Sequence, residues 1–428
     1  MKIRTTKLAN GLRVVTAHIA DARSVTVNIA VGTGSRFEQY DTNGGVSHFL
    51  EHLLFKGTKK YPTAQDIAEA VDAVGGYNNA YTGEDITSFY IKVPARHGEL
   101  AVDILCDMVR HPVLDAEEIN RERGVIVEEM NVFRDDPPRF IGTLIPALMF
   151  PDHPLGRDII GSEKVIEQIP RQAIADYMRQ HYRPNNMVVA LAGAVDHDQI
   201  VAQVQAALGG LERAELPHLV PVPAAAGPKR SIAFRKETAQ AHFMVAARAY
   251  AYEHEDEPAA RVAAAILGRG MSSRLFLNVR ERQGLAYNVF AETNSYVDAG
   301  LFEAYAGVTI EKTKQALESV LHELELIRQE PVGYAELDKA KQQLIAGLEM
   351  SLESNSNVAD RLGAQMVLLG KTKTVDESIA EVEAVTAADI QRVCRAMLAP
   401  QNLRFAIIAP EPQAAAEHFE SLVSVKET

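Results

Sequence analysis

The feature that most limits what this chain can fold into is a proline-rich stretch near its middle. Leu216-Pro217, Val220-Pro221-Val222-Pro223 and Ala224-Ala225-Ala226-Gly227-Pro228 carry neither helix nor strand periodicity. Each proline removes a backbone donor and fixes φ, so no regular element runs through the stretch. A chain of 428 residues is also longer than one hydrophobic core usually serves. The reading is a first domain over residues 1–215, a linker over 216–230 and a second domain over 231–428.

The two halves then replay one pattern. In the first, Asn10-Gly11 sits between short strands as a hairpin turn, and Val25 to Val31 alternates as a β-branched strand. Gly32, Gly34 and Gly44-Gly45 mark loops before an apolar helix that stops near Lys56-Gly57. Thr63 is a natural N-cap for the next helix, which ends at Gly75-Gly76. Asn78 to Thr82 and Thr87 to Val93 read as strands, Glu99 to Val109 and Asp115 to about Phe133 as helices. Met187 to Gly193 is a strand and Asp198 to about Leu208 a helix. In the second half the strand Ala241 to Ala246 precedes a helix over Glu257 to Leu267. Gly284 to Val289 and Phe302 to Val308 follow, then a helix from Glu311. The order repeats although the identities are few, which implies duplication. The expected fold is α+β, with two similar domains that each pack helices on a mostly antiparallel sheet.

The formal net charge of −13 disfavours nucleic acid and anionic membrane surfaces as partners. No apolar run is long enough to span a bilayer, and Met1-Lys2-Ile3-Arg4 leads into no secretion-type apolar segment, so a cytoplasmic location is expected. Cys106 and Cys394 stand far apart in helix-like runs. They make no C-x-x-C pair and read as buried free thiols.

The chemistry concentrates at Ser47-His48-Phe49-Leu50-Glu51-His52-Leu53. In this H-x-x-E-H run the histidines are four apart, so on a helix both imidazoles point the same way. Glu51 borders that face and could reach a metal's water without being a ligand. Phe49, Leu50, Leu53, Leu54 and Phe55 make the helix apolar on most sides. Two histidines and a glutamate inside a core are costly unless paired or metal-bound. Catalytic zinc takes three protein ligands, so a third is expected in the same half. The helix Glu122-Arg123-Gly124-Val125-Ile126-Val127-Glu128-Glu129 offers Glu122 and Glu129 on one face, two turns apart. One of them could bind metal while the other orients a histidine from behind.

With Glu129 following after 76 residues, His48-Phe49-Leu50-Glu51-His52 resembles the inverted zinc motif of the M16 metallopeptidases. Pitrilysin, insulin-degrading enzyme and the mitochondrial processing peptidase are members of that family. Gly75-Gly76-Tyr77-Asn78-Asn79-Ala80-Tyr81-Thr82 is similar to its G-G-x-x-N-A-x-T strand. Gly270 to Phe276 and Arg280-Glu281-Arg282-Gln283-Gly284-Leu285-Ala286-Tyr287 resemble its second-half segment with an Arg/Tyr pair.

The resemblance implies that His48, His52 and Glu129 hold one Zn2+ per chain, that Glu51 is the general base and that Glu122 supports His52 or its helix. It further implies that Tyr287 donates to the oxyanion, that Arg280 holds a substrate carbonyl and that Asn79, Ala80 and Tyr81 lie on an edge strand that accepts extended peptides by strand addition. The implied function is a zinc endopeptidase for extended oligopeptides or unfolded segments, enclosed between two domains. The chain resembles the family's half-size members, in which two chains pair, and because it carries both the zinc motif and the Arg/Tyr pair a homodimer is implied, with a heterodimer as the other pairing. The alternative is a non-catalytic or partner-dependent subunit of such an assembly. In the processing peptidases, acidic residues about 10 and 14 positions past the third ligand receive a substrate arginine. Here those positions are Arg139 and Thr143, so that specificity is not implied, and Asp135 and Asp136 are weak substitutes.

Overall fold

The computed structural model describes residues 1–223 and 226–424; Ala224 and Ala225 of the proline-rich linker lie outside the described residues. The described chain divides into two compact units.

The strands of the first unit are β1 (Lys2–Lys7), β2 (Arg13–His18), β3 (Ser24–Val31), β4 (Tyr77–Thr82), β5 (Thr87–Pro94) and β6 (Met187–Gly193). They form one sheet in the order β1-β2-β6-β3-β5-β4, antiparallel except for the β2–β6 pair. Helices α1 (Tyr40–Asn43) and α2 (Val46–Leu54) follow β3, and α3 (Ala64–Asp72) precedes β4. Thr63 caps α3 in a reciprocal capping box with Asp66. After β5 come α4 (Gly98–Arg110), α5 (Ala116–Asp135), α6 (Pro137–Met149), α7 (Glu163–Gln168) and α8 (Arg171–His181), and α9 (His197–Leu208) follows β6.

In the second unit, β7 (Ser231–Arg235), β8 (Ala241–Ala249), β9 (Ala286–Ser295), β10 (Gly300–Val308) and β11 (Arg404–Ala409) form a sheet ordered β7-β11-β8-β10-β9. Among the described residues its one parallel pair is β7–β11. Strand for strand this is the first sheet without β1, and α10 (Glu257–Gly268) follows β8 as α2 follows β3. Helices α11 (Thr313–Gln329), α12 (Tyr334–Ser351), α13 (Asn355–Leu369), α14 (Val375–Ala384), α15 (Ala387–Met397) and α16 (Gln413–Val423) repeat the order of the first half. The duplication expected from the sequence is present at the level of topology.

The compact units depart from a linear division of the chain in two segments. Residues 132–156, which carry α6, belong to the second unit, and residues 350–373, which carry α13, belong to the first. The reason is burial on both faces of each sheet. On one face of the first sheet, Val14, Val25, Ile29, Phe89 and Val189 pack against Phe49, Leu50 and Val102. The alternate residues Val15, Ala17, Val188 and Ala190 point the other way, where Val358, Ala359, Leu362 and Met366 of α13 cover them. In the second sheet, Met244, Ala246, Leu301 and Ile408 are covered likewise by Ile141, Ile145 and Met149 of α6. Each half of the chain thus supplies the helix that closes the other half's sheet. Strands apolar on both sides need such a cover, and position along the sequence does not reveal its source. Among the described residues no helix is long and apolar enough to cross a membrane, and both cysteines are free and buried.

Candidate metal centre

Helix α2 begins at Gly45, whose φ of 89° lies in the left-handed region. A Cβ there would meet the Ile160 carbonyl oxygen at 2.2 Å, so only glycine fits this entry. The helix has no side-chain N-cap of its own. Its first N–H groups are taken from outside by Glu38, whose carboxylate accepts from Gly45 N at 2.6 Å and Ser47 N at 2.8 Å. Burial pushes Glu38 up to about 7, while the backbone donors of Gly45 and Ser47 favour its charged form. Ser47 Oγ also lies 2.8 Å from the buried Tyr177 hydroxyl. Val46, Phe49, Leu50, Leu53 and Leu54 are fully or almost fully buried, so the core holds the helix; His48 is buried too, while Glu51 and His52 are half-buried.

The structure brings His48, His52 and Glu129 together. Their donor atoms all lie within 4.8 Å of one another. Glu129 Oε2 is 3.7 Å from His48 Nε2 and 3.5 Å from His52 Nε2. Tetrahedral zinc with bonds of about 2.1 Å separates its ligands by about 3.4 Å, so this donor set fits the ion. Burial, and then the neighbouring His52, hold His48 down to about 3, the neutral form a ligand requires. Glu122 Oε2 accepts from His52 Nδ1 at 3.0 Å. An ionised carboxylate only accepts, so this bond places a hydrogen on Nδ1 and leaves Nε2 as the nitrogen that would meet a metal. Burial lowers the His52 pKa, but the bond to Glu122 and the nearby carboxylates outweigh it and raise it. Glu122 is in turn paired through Oε1 with Lys56 Nζ at 2.6 Å. Burial works against the charge on Glu122, but its bonds from His52 and Lys56 outweigh that and lower its pKa.

Glu51 stands beside the triad. Its Oε2 accepts from Thr82 Oγ1 at 2.6 Å, which leaves Oε1 for a second donor. Desolvation raises its pKa, against the bond from Thr82. Thr82 ends β4, the sheet's edge strand, so base and edge are joined by one hydrogen bond. Of the three edge residues expected to meet a peptide, only Ala80 turns its backbone outward. Gly83 N bonds Ile86 O across the hairpin, and alternation from there directs the backbone of Tyr81 and Asn79 to β5. The Ala80 N–H is taken by the Asn79 side chain at 2.8 Å.

Arg280 and Tyr287 are brought together in the second unit. Arg280 lies on a π-helical turn over Phe276–Arg282, with its guanidinium 4.8 Å from the Phe276 ring and 5.5 Å from the Tyr287 ring. Tyr287 is 74% exposed. Arg139 pairs with Asp136, and Asp135 with Lys236.

Glu38, Lys56 and Thr82 were not singled out from the sequence. Thr82 stood inside the quoted strand motif and is the one that pattern reasoning could have reached. Lys56, four residues after His52, is a spacing clue only once Glu122 is known to lie alongside.

Two imidazoles and a carboxylate converging beside Glu51 make up the donor set of a hydrolytic metal site. Residues 13–163 match the family model "Insulinase (Peptidase family M16)", and residues 168–344 match "Peptidase M16 inactive domain". An uncharacterized zinc protease of Streptomyces coelicolor is 36% identical over 92% of this chain and 87% of its own length. Another, YmxG of Bacillus subtilis, is 34% identical over 94% of this chain and 97% of its own. A crystal structure of a protease from Helicobacter pylori superposes with a TM-score of 0.89 at 23% identity, covering 96% of this chain and 99% of that one, a likeness of fold. The chain belongs to peptidase family M16.

Proposed function

We propose that the chain is a zinc-dependent endopeptidase acting on extended peptides and unfolded segments. The observation that carries this reading is the convergence of His48, His52 and Glu129 with Glu51 alongside. When bound, zinc supplies a Lewis acid that acidifies water and polarises a peptide carbonyl. Glu51 takes the proton of the attacking water and passes it to the leaving amine. Burial raises its pKa above the usual carboxylate value, the direction that helps a group which must both accept and return a proton. Glu122 and Lys56 keep His52 in the tautomer that offers Nε2. The peptide backbone adds alongside β4, displacing the Asn79 side chain from Ala80 N–H.

Tyr287 and Arg280 belong to the other unit. Their roles, oxyanion donor and substrate-carbonyl holder, rest on the family resemblance. The "inactive domain" description falls on the half that lacks the H-x-x-E-H run, and the complete donor set of the first half favours an active enzyme over a structural subunit. A homodimer is part of the proposal, to be measured by sedimentation. The central test is Glu51→Gln. It should bind one zinc per chain and lose peptide cleavage by about 10²–10⁴-fold. Hydrolysis at the wild-type rate in that variant overturns the assignment.

A further inference from the structure

The edge strand β4 has one neighbour, β5, and an edge free on one side can shift against the groups it serves. Here side chains pin it on both faces. Its even residues face the α2 side: Ala80 packs against that core and Thr82 bonds Glu51. Its odd residues face α13, the helix supplied by the other half of the sequence. Tyr81 Oη donates to Asp360 Oδ1 at 2.6 Å, and Tyr77 Oη lies 3.2 Å from Ser356 Oγ. Ser356 and Asp360 are four apart and share one face of α13, as Tyr77 and Tyr81 share one face of the strand.

The helix is a firm support. Asn355 Nδ2 donates to Ser24 O at 3.0 Å, and Arg13 Nη1 donates to Met366 O at 2.6 Å. At Gly363 an added Cβ would stand 3.0 Å from Asn28 Oδ1 and 3.4 Å from Ala30, so the helix lies close on the sheet. Besides Tyr81, Asp360 meets only Asn28 Nδ2, at 3.5 Å, and no cation pairs with it among the described residues. A partly buried carboxylate without a cation is costly, and its one short bond is to the peptide-facing strand.

We propose that Asp360 is a positioning residue of the peptide-accepting edge: through Tyr81 it holds β4 against α13, and so keeps Ala80 and Thr82 in register with Glu51. The inference rests on reading β4 as that edge. It makes the carboxyl-terminal half of the chain responsible for the shape of a substrate groove whose metal ligands all come from the amino-terminal half.

The test is binding of a labelled, unstructured peptide to the metal-free full chain, read by fluorescence anisotropy, with melting curves in parallel and cleavage by the zinc-loaded chain measured separately. Asp360→Leu and Tyr81→Phe should each weaken peptide binding about tenfold, and the double variant should be no worse than either, since both remove one contact. Asp360→Asn, whose amide oxygen still accepts from Tyr81, should restore binding to within about twofold. Unchanged binding in Tyr81→Phe, a change small enough to fold, overturns the inference. So does additive loss in the double variant, or a lowered melting temperature with unchanged affinity. A wild-type chain that neither binds nor cuts peptides overturns the underlying reading instead.

Discussion

Replacing Glu122 by glutamine keeps the shape of the side chain and removes its charge. His52 Nδ1 at 3.0 Å and Lys56 Nζ at 2.6 Å then lose a charged acceptor, and one amide oxygen is left to serve them. The Glu122 side chain is only 6% exposed, so water does not make good the loss. A hydrogen bond to a charged group contributes about 1.5–3 kcal/mol and a neutral one about 1. The difference, about 0.5–2 kcal/mol, should weaken zinc binding by roughly 2- to 30-fold. Glu122→Leu leaves both His52 Nδ1 and Lys56 Nζ unpaired and should cost about a hundredfold. The assay is competition with a chromophoric chelator at fixed pH, beside far-UV circular dichroism of the metal-free chains. Wild-type zinc affinity in a well-folded Glu122→Gln would refute the argument that this bond prepares His52.

The remaining predictions concern the support of the site. Glu38 moves from an ordinary 4.5 up to about 7 by burial, so the folded chain keeps a proton there that the unfolded chain has lost. Its contribution to stability therefore falls as pH rises from about 5 to 7 and levels off above. The unfolding free energy of the metal-free wild type, from urea titrations, should drop relative to Glu38→Gln across that window by about 1–3 kcal/mol, and a constant gap contradicts this. Gly363→Ala places a Cβ 3.0 Å from Asn28 Oδ1; calorimetry should show a loss of about 1–3 kcal/mol, and an unchanged melting temperature counts against the close packing of α13. Tyr287→Phe should lower kcat about a hundredfold with peptide binding retained; an unchanged kcat removes Tyr287 from the reaction.

Much of the local structure was legible in the residues. The Thr63 cap, the Asn10-Gly11 hairpin and the β-branched strands β3, β5 and β6 rest on short-range preferences that the tertiary structure leaves in place. The histidines of α2 are displayed together by helical spacing alone. The helices α6, α7 and α8, and in the second half β7, β11, α12, α13, α14 and α16, went unread, and α6 and α13 join the opposite unit. An amphipathic stripe states that a face will be buried and says nothing about which sheet buries it.

The sequence by itself therefore determined a duplicated α+β chain with a zinc-type motif on a buried helix, because helix period, strand alternation and glycine and proline punctuation act over a few residues. Helical spacing alone left Glu122 and Glu129 interchangeable, and the family resemblance assigned them; the tertiary structure shows the geometry, with Glu129 beside both imidazoles and Glu122 behind His52. The two carboxylates share one face of α5, and their roles depend on distances of 3.0 to 3.7 Å to a different helix. It also decided that Glu38 caps α2, that Thr82 ties Glu51 to the edge strand, and that Asp360 holds that strand from a helix some 280 residues away in the chain. Such contacts are set by how whole elements pack, and spacing along the chain carries no record of them.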